Sequence, residues 1–301
     1  MIVLPTLRQL QFFLALVRRE SFSKAAEDSS VSQSTLSSAI KELEALLQQQ
    51  LVDRSTRSFA LTPAGQDVAA RASTLIALAE DLVLAVIDRR PLEGAFHLGV
   101  IPTISPFLLP RATTALHKSY PQLVLYIRED LTPAIADRLA AGLLDAALMA
   151  FPYDIPGIDM IEIANDPFWF VCAPDHPFAR KRTIKKEELK ECELLLLEDG
   201  HCLREHAIDA CELVDRQAAA SYSGTSLFTI TQMVRLGLGA TLLPEMAVRE
   251  GLAKHAGLAA VPFADPKPNR KIGIAWRKGS GRSEEVAAIA QVLSGLFDKP
   301  A

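Results

Sequence analysis

No apolar run in this 301-residue chain approaches the ~20 residues that would span a bilayer. The opening stretch, MIVLPTLRQLQFF, lacks a charged segment followed by an apolar core, so no signal peptide is expected. Positive charge is not in excess either. The formal net charge is −4, which excludes a global field for nucleic acid and leaves any DNA contact to a local surface. Cysteines number 4, too few for a secreted disulfide scaffold. A reducing cytoplasm is the expected compartment, and there cysteine pairs are more often catalytic, metal-binding or redox-sensing. No Cys-x-x-Cys or His-x-x-x-His pair occurs, so no metal site is expected. No phosphate-binding cofactor loop is expected either, because Gly237 and Gly239 close a helix instead of opening one. Hydrophobic residues make up 49%, enough for the cores of two or three domains.

Residues 1–62 read as a compact helical unit. Leu7, Leu10, Phe13, Leu14 and Val17 recur at helical spacing, and Ser21 starts a second, short helix with the small Ala25 and Ala26. Ser32 caps a third helix whose buried face is Leu36, Ile40, Leu43 and Leu47. Strand candidates Leu51-Val52 and Phe59-Ala60-Leu61 flank a polar turn. Three helices and a β-ribbon predict a mostly α winged helix-turn-helix. The third helix opens with Ser32, Gln33, Ser34 and Thr35, followed by Ser37 and Lys41. These are the residues expected to meet base edges, while Arg54 and Arg57 on the wing reach phosphates or the minor groove. Seven cations (Arg8, Arg18, Arg19, Lys24, Lys41, Arg54, Arg57) face six anions (Glu20, Glu27, Asp28, Glu42, Glu44, Asp53). One copy is therefore expected to bind double-stranded DNA weakly, and useful affinity to need several copies.

Thr62-Pro63 opens a long helix, expected to run to about Arg90. Val68, Ala72, Leu75, Ala79, Leu82 and Val86 form a heptad seam along it, expected to pair with another subunit; the alternative is packing on its own domain. Pro91 to Gly94 is a hinge. From Ala95 the pattern turns α/β, with strands at Phe96–Val100, Leu123–Ile127 and Ala146–Met149 and helices at Leu108–Ser119 and Thr132–Gly142. A second lobe begins near Phe168–Cys172, with strands at Leu194–Leu197 and near Ala218–Ser221 and a helix at Leu227–Gly237; Lys271–Trp276 and Ser283–Phe297 then return to the first. The expected architecture is a two-lobed α/β regulatory domain, 91–301, resembling periplasmic binding proteins. Lobe I would be 95–165 with 268–301, and lobe II 166–267. Thr103 and Thr132 fall at strand-to-helix turns, where such sheets bind ligands.

The stretch Leu194–Cys211, LLLLEDGHCLREHAIDAC, concentrates the chemistry. A four-leucine strand breaks at Glu198-Asp199-Gly200, and a helix follows, so Cys202 sits at a helix N-terminus beside His201. The dipole and the histidine predict a lowered thiol pKa and a better nucleophile. Cys211 lies nine positions on, about 13–14 Å away within one helix, whereas a disulfide needs Cα atoms within roughly 7 Å. Joining the sulfurs would unwind the segment, making a switch. The competing reading is two small hydrophobes in a core. Cys172 and Cys192 are read as structural, and His97, His117, His176 and His255 as surface or packing residues.

The motifs Phe12-Phe13, Ser23-Lys24-Ala25-Ala26, Val31-Ser32-Gln33-Ser34-Thr35-Leu36-Ser37 and Leu61-Thr62-Pro63-Ala64-Gly65 resemble the LysR-type transcriptional regulators, as do Met233-Val234, Gly237-Leu238-Gly239 and Leu242-Leu243-Pro244. Leu197 to Arg204, with Cys211 nine residues past Cys202, is similar to that family's hydrogen-peroxide-sensing branch; so are Ile101-Pro102-Thr103 and Pro106 to Pro110. This resemblance implies Cys202 as the peroxidatic cysteine, Cys211 as the resolving one and a disulfide between them. It implies Thr103, Thr132 and His201 as the peroxide pocket. It further implies a homotetramer on a promoter operator and contact with RNA polymerase. Two positions depart from the family pattern: Ser34 stands where proline is usual, and Leu47-Gln48-Gln49-Gln50 replaces a glycine after the third helix. Without that glycine the turn needs a left-handed non-glycine residue or a longer helix. An ordinary LysR regulator with a small organic effector, or a thiol peroxidase, are the alternatives.

Overall fold

The computed structural model describes residues 3–53, 59–84, 86, 91–213 and 223–297. Helix α1 (Leu7–Arg19) opens with a reciprocal cap, Gln9 N donating to Thr6 Oγ1 and Thr6 N to Gln9 Oε1. Helices α2 (Phe22–Asp28) and α3 (Gln33–Leu47) follow, capped by Ser21 and Ser32. Phe13, Leu16, Ala25, Ala26, Leu36, Ile40 and Leu43 close the core of this head. At the end of α3, Gln48 takes the left-handed conformation at φ 53, the first of the two routes open to a turn without glycine. The ribbon pairs β1 (Val52–Asp53) with β2 (Ala60–Leu61), so the first strand sits one residue later than expected. Arg54 and Arg57 lie outside the described residues.

Thr62 Oγ1 accepts from Gly65 N at 3.0 Å and starts α4 (Pro63–Leu84). The expected seam divides. Ala72 is buried in the head core with Val68 against it, whereas Leu75, Leu82 and Val86 are exposed, as are Leu78 and Val83 outside the seam. The first half thus packs on its own domain, because α1 is there to cover it. The stretch expected to extend the helix to Arg90 lies, apart from Val86, outside the described residues.

The α/β unit is one long sheet. Strands β3 (Gly94–Val100), β4 (Leu123–Glu129) and β5 (Ala146–Phe151) are parallel, linked by α5 (Ser105–Ser119) and α6 (Thr132–Ala140). Strand β6 (Ile158–Cys172) then crosses to the second half, which holds β7 (Leu194–Leu197), α7 (Cys202–Cys211), β8 (Ser223–Gly224), α8 (Leu227–Arg235), β9 (Ala240–Pro244), α9 (Glu245–Arg249), α10 (Leu252–His255) and β10 (Ala259–Pro262). Strand β11 (Asn269–Arg277) returns antiparallel to β6, and α11 (Ser283–Phe297) closes the unit. The order is β4-β3-β5-β11-β6-β9-β7-β8, with β10 also on β6.

Two hydrophobic cores result. One gathers Phe96, Leu98, Leu148, Ile272 and Ile289, the other Phe168, Phe170, Leu195, Leu242 and Phe263. Strand β6 starts at Ile158, ten residues before the strand read from the sequence. Pro167, which disguises it, sits where β6 exchanges its partner β11 for β9, so its missing N–H breaks no central ladder. The strand expected near Ala218–Ser221 lies outside the described residues; a 3₁₀ helix at Lys186–Glu191 occupies part of the charged run.

Candidate functional site

The turn between β7 and α7 builds the site. Gly200 has φ 92, a conformation open to glycine, and lets the chain reverse into the helix. Arg204 braces the turn, donating from Nη1 to Leu197 O at 3.3 Å and pairing with Asp199 at 3.1 Å. His201 is the N-cap residue but its side chain makes no capping bond, and Cys202 is the first helical residue. Cys202 is 4% exposed and belongs to the first core; Leu203, Ala207 and Cys211 belong to the second.

One of the expected pocket residues meets that thiol directly, and a second is tied to it through an arginine. The Thr132 hydroxyl, at the start of α6, hydrogen-bonds Cys202. Thr103, in the turn before α5, is held by an arginine that sequence reasoning misses: Arg270 Nη1 donates to Thr103 Oγ1 at 2.8 Å, and Nη2 to Thr103 O at 3.0 Å. Arg270 is fully buried and paired with Asp166, Nε to Oδ2 at 3.0 Å, while Asp166 Oδ1 accepts from Met246 N at 3.0 Å. These bonds leave the Thr103 hydroxyl proton free to donate. His201, the residue before Cys202, is buried, and its ring hydrogen-bonds the backbone of Thr225. Burial lowers its pKa below the usual histidine value, against the pull of Glu198 and Thr225, so the ring is neutral at neutral pH.

The expected lowering of the Cys202 pKa is corrected. Burial pushes this thiol up and outweighs the Thr132 hydrogen bond, Arg270 and the helix N-terminus, which all pull it down. A neutral His201 adds no positive charge. Near the other end, burial pushes Cys211 up to about 12, with Lys186 pulling down and Glu212 pushing up. All four cysteines are free thiols. Cys172 is also driven up by burial, to about 11, as suits a core residue.

In the head, Ser32 Oγ lies 2.8 Å from Ser34 Oγ and 2.7 Å from Thr35 Oγ1, and Ser23 Oγ donates to Gln33 Oε1 at 3.1 Å. Ser37 is half-buried and Lys41 exposed on the same helix. The arrangement presents an ordered row of hydroxyls. Among the described residues no helix is long and apolar enough to cross a membrane, and no group of three or more His, Cys, Asp or Glu is placed to hold a metal.

The chain thus carries a winged helical head and a two-core α/β unit. The family comparison agrees: residues 7–66 match the bacterial regulatory helix-turn-helix protein, lysR family, and residues 89–297 match the LysR substrate binding domain. The chain belongs to the LysR family of transcriptional regulators. Within it, the chain is 38% identical over 291 residues to a probable hydrogen peroxide-inducible genes activator of Streptomyces viridosporus, covering 96% of this chain and 93% of that one. It is also 38% identical over 297 residues to the HTH-type transcriptional regulator EstR of Acinetobacter baylyi, covering 98% of both. Among solved structures, a full-length OxyR variant from Pseudomonas aeruginosa matches with TM-score 0.81 at 32% identity, covering 97% of this chain and 98% of that one.

Proposed function

We propose that this chain is a cytoplasmic, DNA-binding transcriptional regulator that senses hydrogen peroxide through Cys202 and is switched by a Cys202–Cys211 disulfide. The observation that carries this reading is the placement of two free thiols at opposite ends of one helix, with the Thr132 hydroxyl and the Arg270 charge brought to Cys202. Peroxide enters the pocket of Thr103, Thr132 and His201. The Cys202 thiolate attacks one oxygen, the O–O bond breaks, and the departing oxygen leaves as water after taking up a proton. Sulfur is oxidised to the sulfenic acid. The Cys211 thiol then displaces its hydroxyl as water, forming the disulfide. Because the two Cα atoms are about 13–14 Å apart along the helix, that bond cannot form until α7 unwinds.

Residues 1–62 are the DNA-binding head, with Ser32, Gln33, Ser34, Thr35, Ser37 and Lys41 against bases and backbone and Arg54 and Arg57 reaching phosphates or the minor groove. Residues 63–90 pair two subunits through Leu75, Leu78 and Leu82, and 91–301 is the sensor. A tetramer on the promoter changes the spacing of its heads when α7 refolds, and so changes its contact with RNA polymerase. The reaction stops at one disulfide per cycle, so the chain is a sensor and not an enzyme.

Peptide mapping after a stoichiometric dose of hydrogen peroxide tests this. A Cys202–Cys211 disulfide within seconds is expected in the wild type. Cys202→Ser is expected to lose it, and with it the change in DNA footprint, while still binding DNA. A Cys202 that stays a free thiol under excess peroxide overturns the reading, and thermal-shift screening of metabolites follows.

A further inference from the structure

A second histidine is buried close to the thiol. His206 is 6% exposed and lies one turn after Cys202 on the same face of α7. Residues at this spacing have Cβ atoms about 5–6 Å apart, and helical side chains lean toward the N-terminus, here toward the turn that carries Cys202. Nε2 lies 2.9 Å from Pro152 O, an acceptor only, so Nε2 carries the ring proton. Nδ1 is then a bare acceptor, and among the described residues it is buried without a hydrogen-bond partner. Buried polar atoms are ordinarily paired, and an orphan of this kind calls for a role.

We propose that His206 is the proton relay of the peroxide reaction, its Nδ1 taking the thiol proton of Cys202 and returning it to the departing peroxide oxygen. The idea rests on the peroxide reading above. The S–H bond breaks as Nδ1 is protonated, the sulfur bonds one peroxide oxygen as the O–O bond breaks, and the other oxygen leaves as water with the relayed proton. A relay answers a difficulty that the site itself creates. The Cys202 thiol is buried and resists ionisation, so a base inside the pocket must take its proton.

The surroundings keep that base available. Burial holds the His206 pKa below 6.5; Pro152 O pulls it up, Arg270 on β11 pushes it down, and Glu205 and Asp209 on its own helix pull it up. Tyr153, next to Pro152 and in reach of Cys202 and Glu205, is itself raised by burial and uncharged at neutral pH. Strands β5 and β7, also packed on α7, carry no charged side chain. The ring is therefore neutral at pH 7 and ready to accept a proton.

The test is the rate of Cys202 sulfenic acid formation in the full-length protein, in a Cys211→Ser background, trapped with dimedone and read by intact mass from pH 5 to 8. The wild-type rate is expected to hold through neutral pH and to fall on the acid side as His206 is protonated. His206→Gln keeps a donor for Pro152 O and removes the base. It is expected to slow oxidation by about 10²-fold at pH 7.5 and to lose the acid fall. His206→Ala is expected to be slow and to recover rate with added imidazole, which a purely structural role would not allow. A folded Gln variant with the wild-type rate and pH profile, or an Ala variant that imidazole leaves unchanged, overturns the relay. A wild type that forms no sulfenic acid instead overturns the peroxide reading beneath it.

Discussion

The two ends of α7 hold the same side chain in opposite settings. Cys202 faces the first core and meets a hydroxyl and the field of a buried guanidinium. Cys211 faces the second core, and only the distant pull of Lys186 opposes its burial. Both thiols are driven up, so burial alone does not distinguish them. What distinguishes them is whether donors are aimed at the sulfur, since donors stabilise a thiolate, and later a leaving oxygen, without needing water. The first end can react while the protein is folded. The second can react only once α7 opens and brings its sulfur out of the core. In the proposed switch, one helix thus separates the oxidation step from the disulfide step.

The sharpest way to break this contrast is to strip the first end of its cation. Arg270→Met leaves Asp166 buried without its partner, and removing one member of a buried pair costs about 3–5 kcal/mol. A large drop in the urea midpoint is expected, much of it recovered by adding Asp166→Leu. In that double variant Cys202 is expected to react more slowly with peroxide, while Cys211 keeps its wild-type resistance to alkylation. Equal slowing at both ends would mean that Arg270 acts through global stability, and the contrast would fall.

Cys211 gives the next effect. Its pKa is raised from 9.0 in the unfolded chain to about 12 in the folded one. A thiol raised in the folded state disfavours folding once the unfolded chain starts to lose its proton. Stability is therefore expected to fall by ~1.4 kcal/mol per pH unit between pH 9 and about 12. Cys211→Ser removes this slope, so the difference between wild-type and variant melting curves is expected to shrink steadily across that window. A constant difference would show that Cys211 already meets solvent in the reduced protein.

Local features of this chain are legible in the order of its amino acids. The caps at Ser21, Ser32 and Thr62 and the apolar face of α3 depend on residues three or four apart, and all fall where the spacing puts them. So does the strand–turn–helix around Cys202. Arg270 and Asp166 are not legible there, because they meet across 104 positions and each looks like an ordinary strand-edge charge. The sign of the Cys202 shift escapes for a related reason: the helix terminus can be read from the sequence, but the depth of burial that outweighs it exists only once the chain is packed. His206 carries no signal beyond its spacing from Cys202, and its orphaned nitrogen shows only after Pro152 is brought against it.

The smallest expected effect lies at the closing residue of α7. Glu212 ends the helix in the left-handed conformation, φ 54, which strains any side-chain-bearing residue, and its carboxylate pairs with Lys186 on the 3₁₀ helix. Glu212→Gly relieves the strain and deletes the pair. The pair is largely exposed, Glu212 being 76% accessible, and exposed ion pairs contribute little. The backbone relief is expected to win, raising Tm by roughly 2–4 °C. A stiffer reduced helix would also delay unwinding, so the disulfide is expected to form more slowly while Cys202 is oxidised at the wild-type rate. A fall in Tm would mean that the Lys186 clasp, and not the backbone, holds the resolving end of the helix closed.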